Sequence, residues 1–190
     1  MRQPVVTLGL ILLLASCRQT LEADVTRFSS LPADWRGQTF VVLPDPGQDD
    51  SLEFRAYAGL VTDGLQSHGL EPARRGAELA KIIVTVHCAG VGTRTEYWFD
   101  PGTNWAGWGG IDDGTLYSHT FFLTALDVEL YDAAAWRKGR RLMLFQGHVL
   151  GQSDIGSLNR TMPYLVQALF AGFPGADHQT VSVTVPMAGG

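Results

Sequence analysis

The segment YSHTFFLTALDVELYD, residues Tyr117–Asp132, decides the fold because it has the pattern of one long β-strand. In its second half Leu126, Val128 and Leu130 alternate with acidic residues. A period of two is typical of a strand with one face on a core and the other towards solvent. We predict that this strand pairs with Arg141–Leu150 on one side and with Lys81–Phe99 on the other.

These pairings predict where three histidines lie. A turn centred near Trp136 places His148 opposite Thr124, and a loop centred near Gly107 places His87 opposite Val128 and His119 near Glu96. His87 and His119 would then lie about nine positions apart, or roughly 30 Å. Because zinc needs nitrogen ligands at about 2 Å, this spacing predicts no metal site.

Two amphipathic helices accompany the strands. One is predicted over residues 51–68, where Asp50 and Glu53 resemble a capping box, and the other includes Leu158–Phe170 with Pro163 at its start or at a kink. Apolar Thr39–Pro44 and alternating Gln179–Val185 indicate further strands. The predicted class is α+β: a largely antiparallel β-sheet with two α-helices packed on one face and one β-α-β unit near the start.

The amino terminus predicts a membrane anchor. Arg2 precedes a ten-residue apolar run, Val5–Leu14, which is too short to span a bilayer and fits a signal peptide. The four residues Leu14-Ala15-Ser16-Cys17 resemble the lipobox of bacterial lipoproteins. This resemblance implies cleavage after Ser16, diacylglycerol on the thiol of Cys17 and acylation, as by palmitate, of the new amino group. The alternative is a plain signal peptide followed by a chance cysteine.

These patterns predict how the chain is divided. Residues 1–16 are the signal peptide, residues 17–27 a polar tether, residues 28–186 one α+β domain and residues 187–190 a tail. Arg18 stands where inner-membrane lipoproteins of enteric bacteria carry aspartate. We therefore expect an outer-membrane lipoprotein that faces the periplasm of a Gram-negative bacterium.

The domain itself resembles a known family. Three stretches carry the resemblance: FVVLPDPGQDDSLEFRAYAGLVTDGLQSHGLEPA, AELAKIIVTVHC, and MPYLVQALFAGFPG with VSVTVP. They are similar to the domain of unknown function numbered 4136, which is common among lipobox-bearing envelope proteins of Gram-negative bacteria. The likeness spans roughly residues 28–186 and implies an α/β sandwich. It brings no activity, cofactor or catalytic residue.

The aromatic segment between the two central strands is the candidate binding site. Tyr97, Trp98, Trp105 and Trp108 lie among glycines, with Asp100 and two further acidic residues beside them. Exposed rings of this kind stack on sugars, grip a protein or settle at a lipid interface. The alternative is that the rings fold back over a sheet edge. The neighbouring acids disfavour an anionic lipid surface.

Other features exclude several functions. The net charge is −5 and lysine occurs only twice, which disfavours a nucleic-acid partner. The motifs of serine hydrolases, nucleotide-binding proteins and zinc proteases are absent from the sequence. Cys88 shares a strand face with Ile82, Val84 and Val86 and is predicted to be buried. We therefore predict no catalytic residues and no cofactor.

The predicted function is a non-enzymatic envelope accessory or binding protein. Its partners would be the membrane, through the acyl chains on Cys17, and an envelope protein or a saccharide. The alternatives are a lipid-anchored hydrolase of the cell envelope and a saccharide-binding module that uses the tryptophan- and glycine-rich loop.

Overall fold

The computed structural model describes residues 19–45, 47–74, 78–100, 114–175 and 178–188. In these ranges seven strands and three helices follow one another along the chain. Their order is β1 (Thr20–Ser29), β2 (Thr39–Val42), α1 (Leu52–Ser67), β3 (Glu71–Pro72), β4 (Ile82–Asp100), β5 (Thr115–Asp132), α2 (Ala133–Arg137), β6 (Met143–Ser153), α3 (Leu158–Phe170) and β7 (Gln179–Pro186).

The strands form one mixed sheet with the order β3-β2-β4-β5-β6-β1-β7. β2 is parallel to both β3 and β4, whereas the other four neighbouring pairs are antiparallel. The parallel β2 and β4, joined through α1, form the predicted β-α-β unit. The α+β class is therefore confirmed, but the expectation of a largely antiparallel sheet with two helices is corrected to a mixed sheet with three.

The main core lies between the sheet and the two long helices. It contains the inward side chains of the central strands, such as Val84 and Leu126, with Val61 and Leu65 of α1 and Leu165 of α3. We call the opposite side of the sheet the open face. The short helix α2 contributes to a separate cluster that contains Ile83 and Tyr131 of the open face.

The third helix was not predicted because it is too short to show a period. A turn centred near Trp136 is predicted there, yet Asp132 caps a five-residue helix by accepting a hydrogen bond from the N–H of Ala135 at 2.6 Å. In α1 the cap is Ser51, whose hydroxyl accepts from the N–H of Phe54 at 3.0 Å. The predicted cap at Asp50 is thus wrong by one residue.

The predicted boundaries of the domain also need correction. Residues 20–27 are not a tether, because β1 lies between β6 and β7 and buries Leu21 and Val25. At the other end Met187 is buried, and its N–H donates to the carbonyl of Gln19 at 2.8 Å. Met187 therefore belongs to the fold and not to a tail. Among the described residues, no helix is long and apolar enough to span a membrane.

Arg27 fixes β1 to the end of α3. Its side chain is almost fully buried, and its guanidinium donates to the carbonyls of Leu169, Ala168 and Ala171 at 2.8–3.1 Å. These carbonyls lie in the last turn of the helix or just after it, where the helix dipole favours a cation. Burial lowers the pKa of the guanidinium from its usual value.

Candidate functional site

A two-stranded ribbon extends beyond the body of the sheet. The ladder between β4 and β5 continues to the pair Asp100 and Thr115, whereas β6 pairs with β5 only as far as Phe122. On the other side β2 pairs with β4 only at Ile82–Val84. We call the paired segments Arg94–Asp100 and Thr115–Phe121 the hairpin arm. No third strand pairs with the arm within the ranges that the structure describes.

A β-bulge marks the place where the arm leaves the sheet. The register shifts between Gly90 and Gly92, so that Val91 has no partner on β5. Gly92 has a φ of 142°, which a residue with a side chain rarely adopts. Bulges bend a strand and increase its twist, and they are frequent beside functional sites. The glycine therefore serves to set the direction of the arm.

The arm exposes large apolar side chains on both faces. Register places Trp98 and Tyr117 on the face that continues the open face, and their rings stack with centroids 5.6 Å apart. Tyr97, Phe99 and Leu116 lie on the opposite face. Tyr97 is 68% exposed, Leu116 is 65% exposed and Trp98 is 50% exposed. Contiguous exposed apolar surface of this kind marks a site of interaction.

Polar contacts fix the base of the arm. The Nε2 atom of His119 lies 2.6 Å from Oδ1 of Asp154, which follows β6. Arg94 forms an ion pair with Glu96 at 2.7 Å, and its Nη1 atom donates to Gln152 of β6 at 3.4 Å. These contacts connect the base of the arm to the body. None of them involves Tyr97, Trp98 or Tyr117.

A row of polar side chains crosses the open face of the sheet. His87, Asp127 and His148 lie side by side on three neighbouring strands, and Nδ1 of His148 is 2.6 Å from Oδ1 of Asp127. The predicted position of His119 opposite Glu96 is confirmed, and His87 is displaced by only one residue. His148 is displaced by three, which moves it to the open face.

The residues around this row do not form a metal centre. In the part of the chain that the structure describes, no group of three or more histidine, cysteine, aspartate or glutamate side chains is placed to hold a metal ion. Asp45 lies close enough to this row for His87 to influence the pKa of its carboxyl group. Burial and the nearby Glu129 raise the pKa of Asp45, while His87 and Arg141 act in the opposite direction.

The chain matches one protein family over most of its length. Residues 24–175 match the family described as "Domain of unknown function (DUF4136)". The chain belongs to this family. No curated protein matches the chain.

Two solved structures resemble the fold of this DUF4136 protein. A PelC dodecamer from Paraburkholderia phytofirmans is 12% identical over 78% of this chain and 96% of that chain, with a TM-score of 0.43. A DUF4136 family protein from Bacteroides thetaiotaomicron is 12% identical over 82% of this chain and 97% of that chain, with a TM-score of 0.42.

The structure brings two of the four predicted binding residues into the arm. Tyr97 and Trp98 are exposed there, whereas Trp105 and Trp108 lie outside the described residues, as does Cys17. Tyr117 was predicted to lie in a strand and was not among the predicted binding residues. The predicted loop centre near Gly107 already placed Tyr117 opposite Trp98, so the register could have identified it.

Cys88 differs in part from the prediction. It lies on the predicted face and packs against the main core, but it is half-buried and not buried. Burial, followed by the charge of Glu53, raises the pKa of its thiol to about 11. A thiol with so high a pKa is a poor nucleophile near neutral pH, which disfavours a catalytic role.

Proposed function

We propose that this protein is a lipoprotein of the outer membrane whose domain faces the periplasm and acts as a non-enzymatic binding protein of the cell envelope. A diacylglyceryl group and an amide-linked acyl chain on Cys17 would together hold the protein stably at the membrane, whereas a single acyl chain holds a protein there only marginally. The lipobox-like Leu14–Cys17 and the following Arg18 support this proposal. The described fold begins at Gln19, so cleavage after Ser16 would leave every described strand in place.

The exposed hairpin arm is the observation that carries the binding function. Its rings are the largest side chains of a ribbon that has few contacts with the body, and they contribute to neither core cluster. A two-stranded ribbon is marginally stable by itself, and rings that are largely exposed add little burial to offset the entropy of ordering it. Contact with another envelope component accounts for both features.

The test has two parts in the native host. The intact mass of the mature protein should equal the chain from Cys17 onward plus a diacylglyceryl group and an amide-linked acyl chain, and Cys17→Ser should lack both. A photoreactive phenylalanine analogue at Tyr97 should form adducts with envelope components, and the same analogue at Leu142 should not. Leu142 is a suitable control because it is exposed and lies at the opposite end of β6.

The two readouts separate the two claims. An unmodified Cys17 in mature protein would contradict the lipoprotein assignment. Equal yields of adducts from Tyr97 and Leu142 would contradict the binding role of the arm.

A saccharide-binding module is the second candidate, because a depression of about 650 Å³ lies on the open face beside the arm. Its lining combines carboxylates, an amide and an aromatic ring, as sugar-binding sites do, and includes Glu22, Asp24, Arg94, Phe121 and Gln152. Calorimetric titration with envelope oligosaccharides distinguishes the candidates. A saccharide site requires saturable binding that Asp24→Ala abolishes.

A further inference from the structure

We propose that the partner of the hairpin arm is the lipid bilayer itself, so that the arm lies in the polar interface of the membrane beside the anchor. This inference rests on the proposed lipidation of Cys17. It adds a second membrane contact, made by protein side chains, to the acyl chains.

The anchor and the arm lie at the same end of the sheet. Glu22 of β1 pairs with Gln152 of β6, which in turn pairs with Leu123 of β5. Two positions further towards that end, Thr20 is therefore level with Phe121, where the arm begins. A depression lined by both residues lies between them.

Chain lengths show that the arm reaches further than the anchor. Cys17 is three residues before Thr20, so its Cα atom lies at most about 11 Å beyond the level of Thr20. The arm continues from Phe121 to Thr115, a distance of about 20 Å along a strand. A membrane held by Cys17 would therefore meet the arm.

A backbone contact of Gln19 keeps Cys17 close to the body of the domain. Its carbonyl accepts a hydrogen bond from the N–H of Met187 at 2.8 Å, and the adjacent Thr20 pairs with Pro186. Backbone hydrogen bonding to the body thus begins at Gln19, two residues after Cys17, and the sheet begins at Thr20. The corrected assignment of β1 as a strand, in place of a tether, is what brings the body close to the bilayer.

The rings are arranged for an environment that surrounds the ribbon. Trp98 and Tyr117 lie on one face, and Tyr97, Phe99 and Leu116 lie on the other. A flat protein surface would cover only one of these faces, whereas a bilayer interface covers both. Tryptophan and tyrosine are the side chains enriched at that depth.

Backbone and charge limit how deep the arm lies. Both edges of the ribbon carry N–H and C=O groups that no third described strand pairs with, so it belongs among the headgroups and not in the hydrocarbon core. Its charged side chains are Arg94, Glu96 and Asp100, a net charge of −1 with histidine neutral. The expected lipid is therefore zwitterionic, since an anionic surface attracts basic segments.

Depth-dependent quenching tests this arrangement. The mature lipidated protein carries Cys88→Ser and one new cysteine, either Ser118→Cys on the arm or Leu142→Cys at the far end, labelled with an environment-sensitive dye. It is reconstituted into phosphatidylcholine vesicles that contain nitroxide-labelled lipid. Quenching at Ser118 should exceed quenching at Leu142 at least threefold, and the dye emission at Ser118 should shift to the blue.

The outcomes separate this inference from the proposed function. If intact mass shows lipidated Cys17 but Ser118 and Leu142 are quenched equally, the anchor stands and the inference is overturned. If the dye at Ser118 is shielded already in detergent, increasingly with protein concentration, the occupant is a second copy and the inference is again overturned. An unmodified Cys17 overturns both proposals.

Substitutions in the arm provide a second measurement. In the non-lipidated Cys17→Ser protein, Trp98→Ala should weaken binding to phosphatidylcholine vesicles about tenfold, because part of a ring's apolar surface is no longer removed from water. Leu142→Ala, which also removes an exposed apolar side chain, should leave binding unchanged. Equal effects of the two substitutions, or binding that increases severalfold when phosphatidylglycerol is added, would contradict the inference.

Discussion

Arg27 is the residue whose loss should destabilise the fold most clearly. Arg27→Ala leaves the carbonyls of Ala168, Leu169 and Ala171 without the guanidinium that they now accept from. Because a buried polar group without a partner costs about 1–3 kcal/mol, we expect the free energy of unfolding to fall by about 2–4 kcal/mol. Urea denaturation measures the change. Arg160→Ala, at an exposed position of α3, is the control, and equal losses would contradict this role.

The thiol of Cys88 should react slowly in the native protein and faster at high pH. With a pKa of about 11, its thiolate fraction at pH 8 is about a hundredfold below that of a thiol with the ordinary value of 9. In a Cys17→Ser background, the rate of reaction with a disulfide reagent should still be rising at pH 10 and should increase greatly at pH 8 when urea unfolds the protein. Rapid native labelling at pH 8 would contradict the raised pKa.

At the scale of elements, glycines in β6 determine how closely α3 approaches the sheet. A Cβ at Gly147 would lie 2.5 Å from Cδ1 of Leu169, and one at Gly151 would lie 2.5 Å from Cδ2 of Leu165. Gly147→Ala should therefore reduce the free energy of unfolding by about 1–3 kcal/mol through overpacking. Gly90→Ala is the matched control because its Cβ meets no atom within 4 Å. The same loss in both variants would show that strand propensity, and not packing, is responsible.

The two long helices and the strands β2, β4, β5, β6 and β7 could be predicted from their apolar patterns, whereas β1, β3 and α2 were not predicted. The expected helix over residues 51–68 corresponds to α1, and the loop centre near Gly107 gave the pairing of His119 with Glu96. β1 has the same alternation over Leu21, Ala23 and Val25, but its fourth inward residue is Arg27, which ends the apolar pattern and whose partners are carbonyls distant in sequence. No local pattern shows that a buried arginine has such partners.

The predicted register between β6 and β5 was wrong because sequence spacing does not show the structure of the connection between them. Sequence spacing assumed a simple turn near Trp136, but the connection contains α2 and a bulge between Leu130 and Tyr131. Because side chains alternate between faces, a displacement of three residues moved His148 from the helix side to the open face. The position of Tyr97 and Trp98 was predicted, while the direction of the arm depends on the bulge at Gly92, which the sequence shows only as a glycine.

At the scale of the whole molecule, the body and the arm are stabilised separately. The two core clusters contain no residue of Arg94–Asp100 or Thr115–Phe121. In the described ranges the arm is linked to the body by its strand continuity and by the contacts of His119 and Arg94 at its base. The body should therefore fold without the arm, whereas the arm should not be stable without the body.

Deletion of the arm tests this division of roles. Residues 94–121 are replaced by Asn-Gly, a pair suited to a tight turn between Thr93 and Phe122, which face each other across the ladder. The melting temperature of the shortened protein should stay within a few degrees of the original, because every residue of both cores is retained. Binding of the shortened, non-lipidated protein to phosphatidylcholine vesicles should be lost, whereas Trp98→Ala should only weaken the binding of the original. A shortened protein that is unfolded, or one that binds vesicles as well as the original, would show that the rings serve the body and not the membrane.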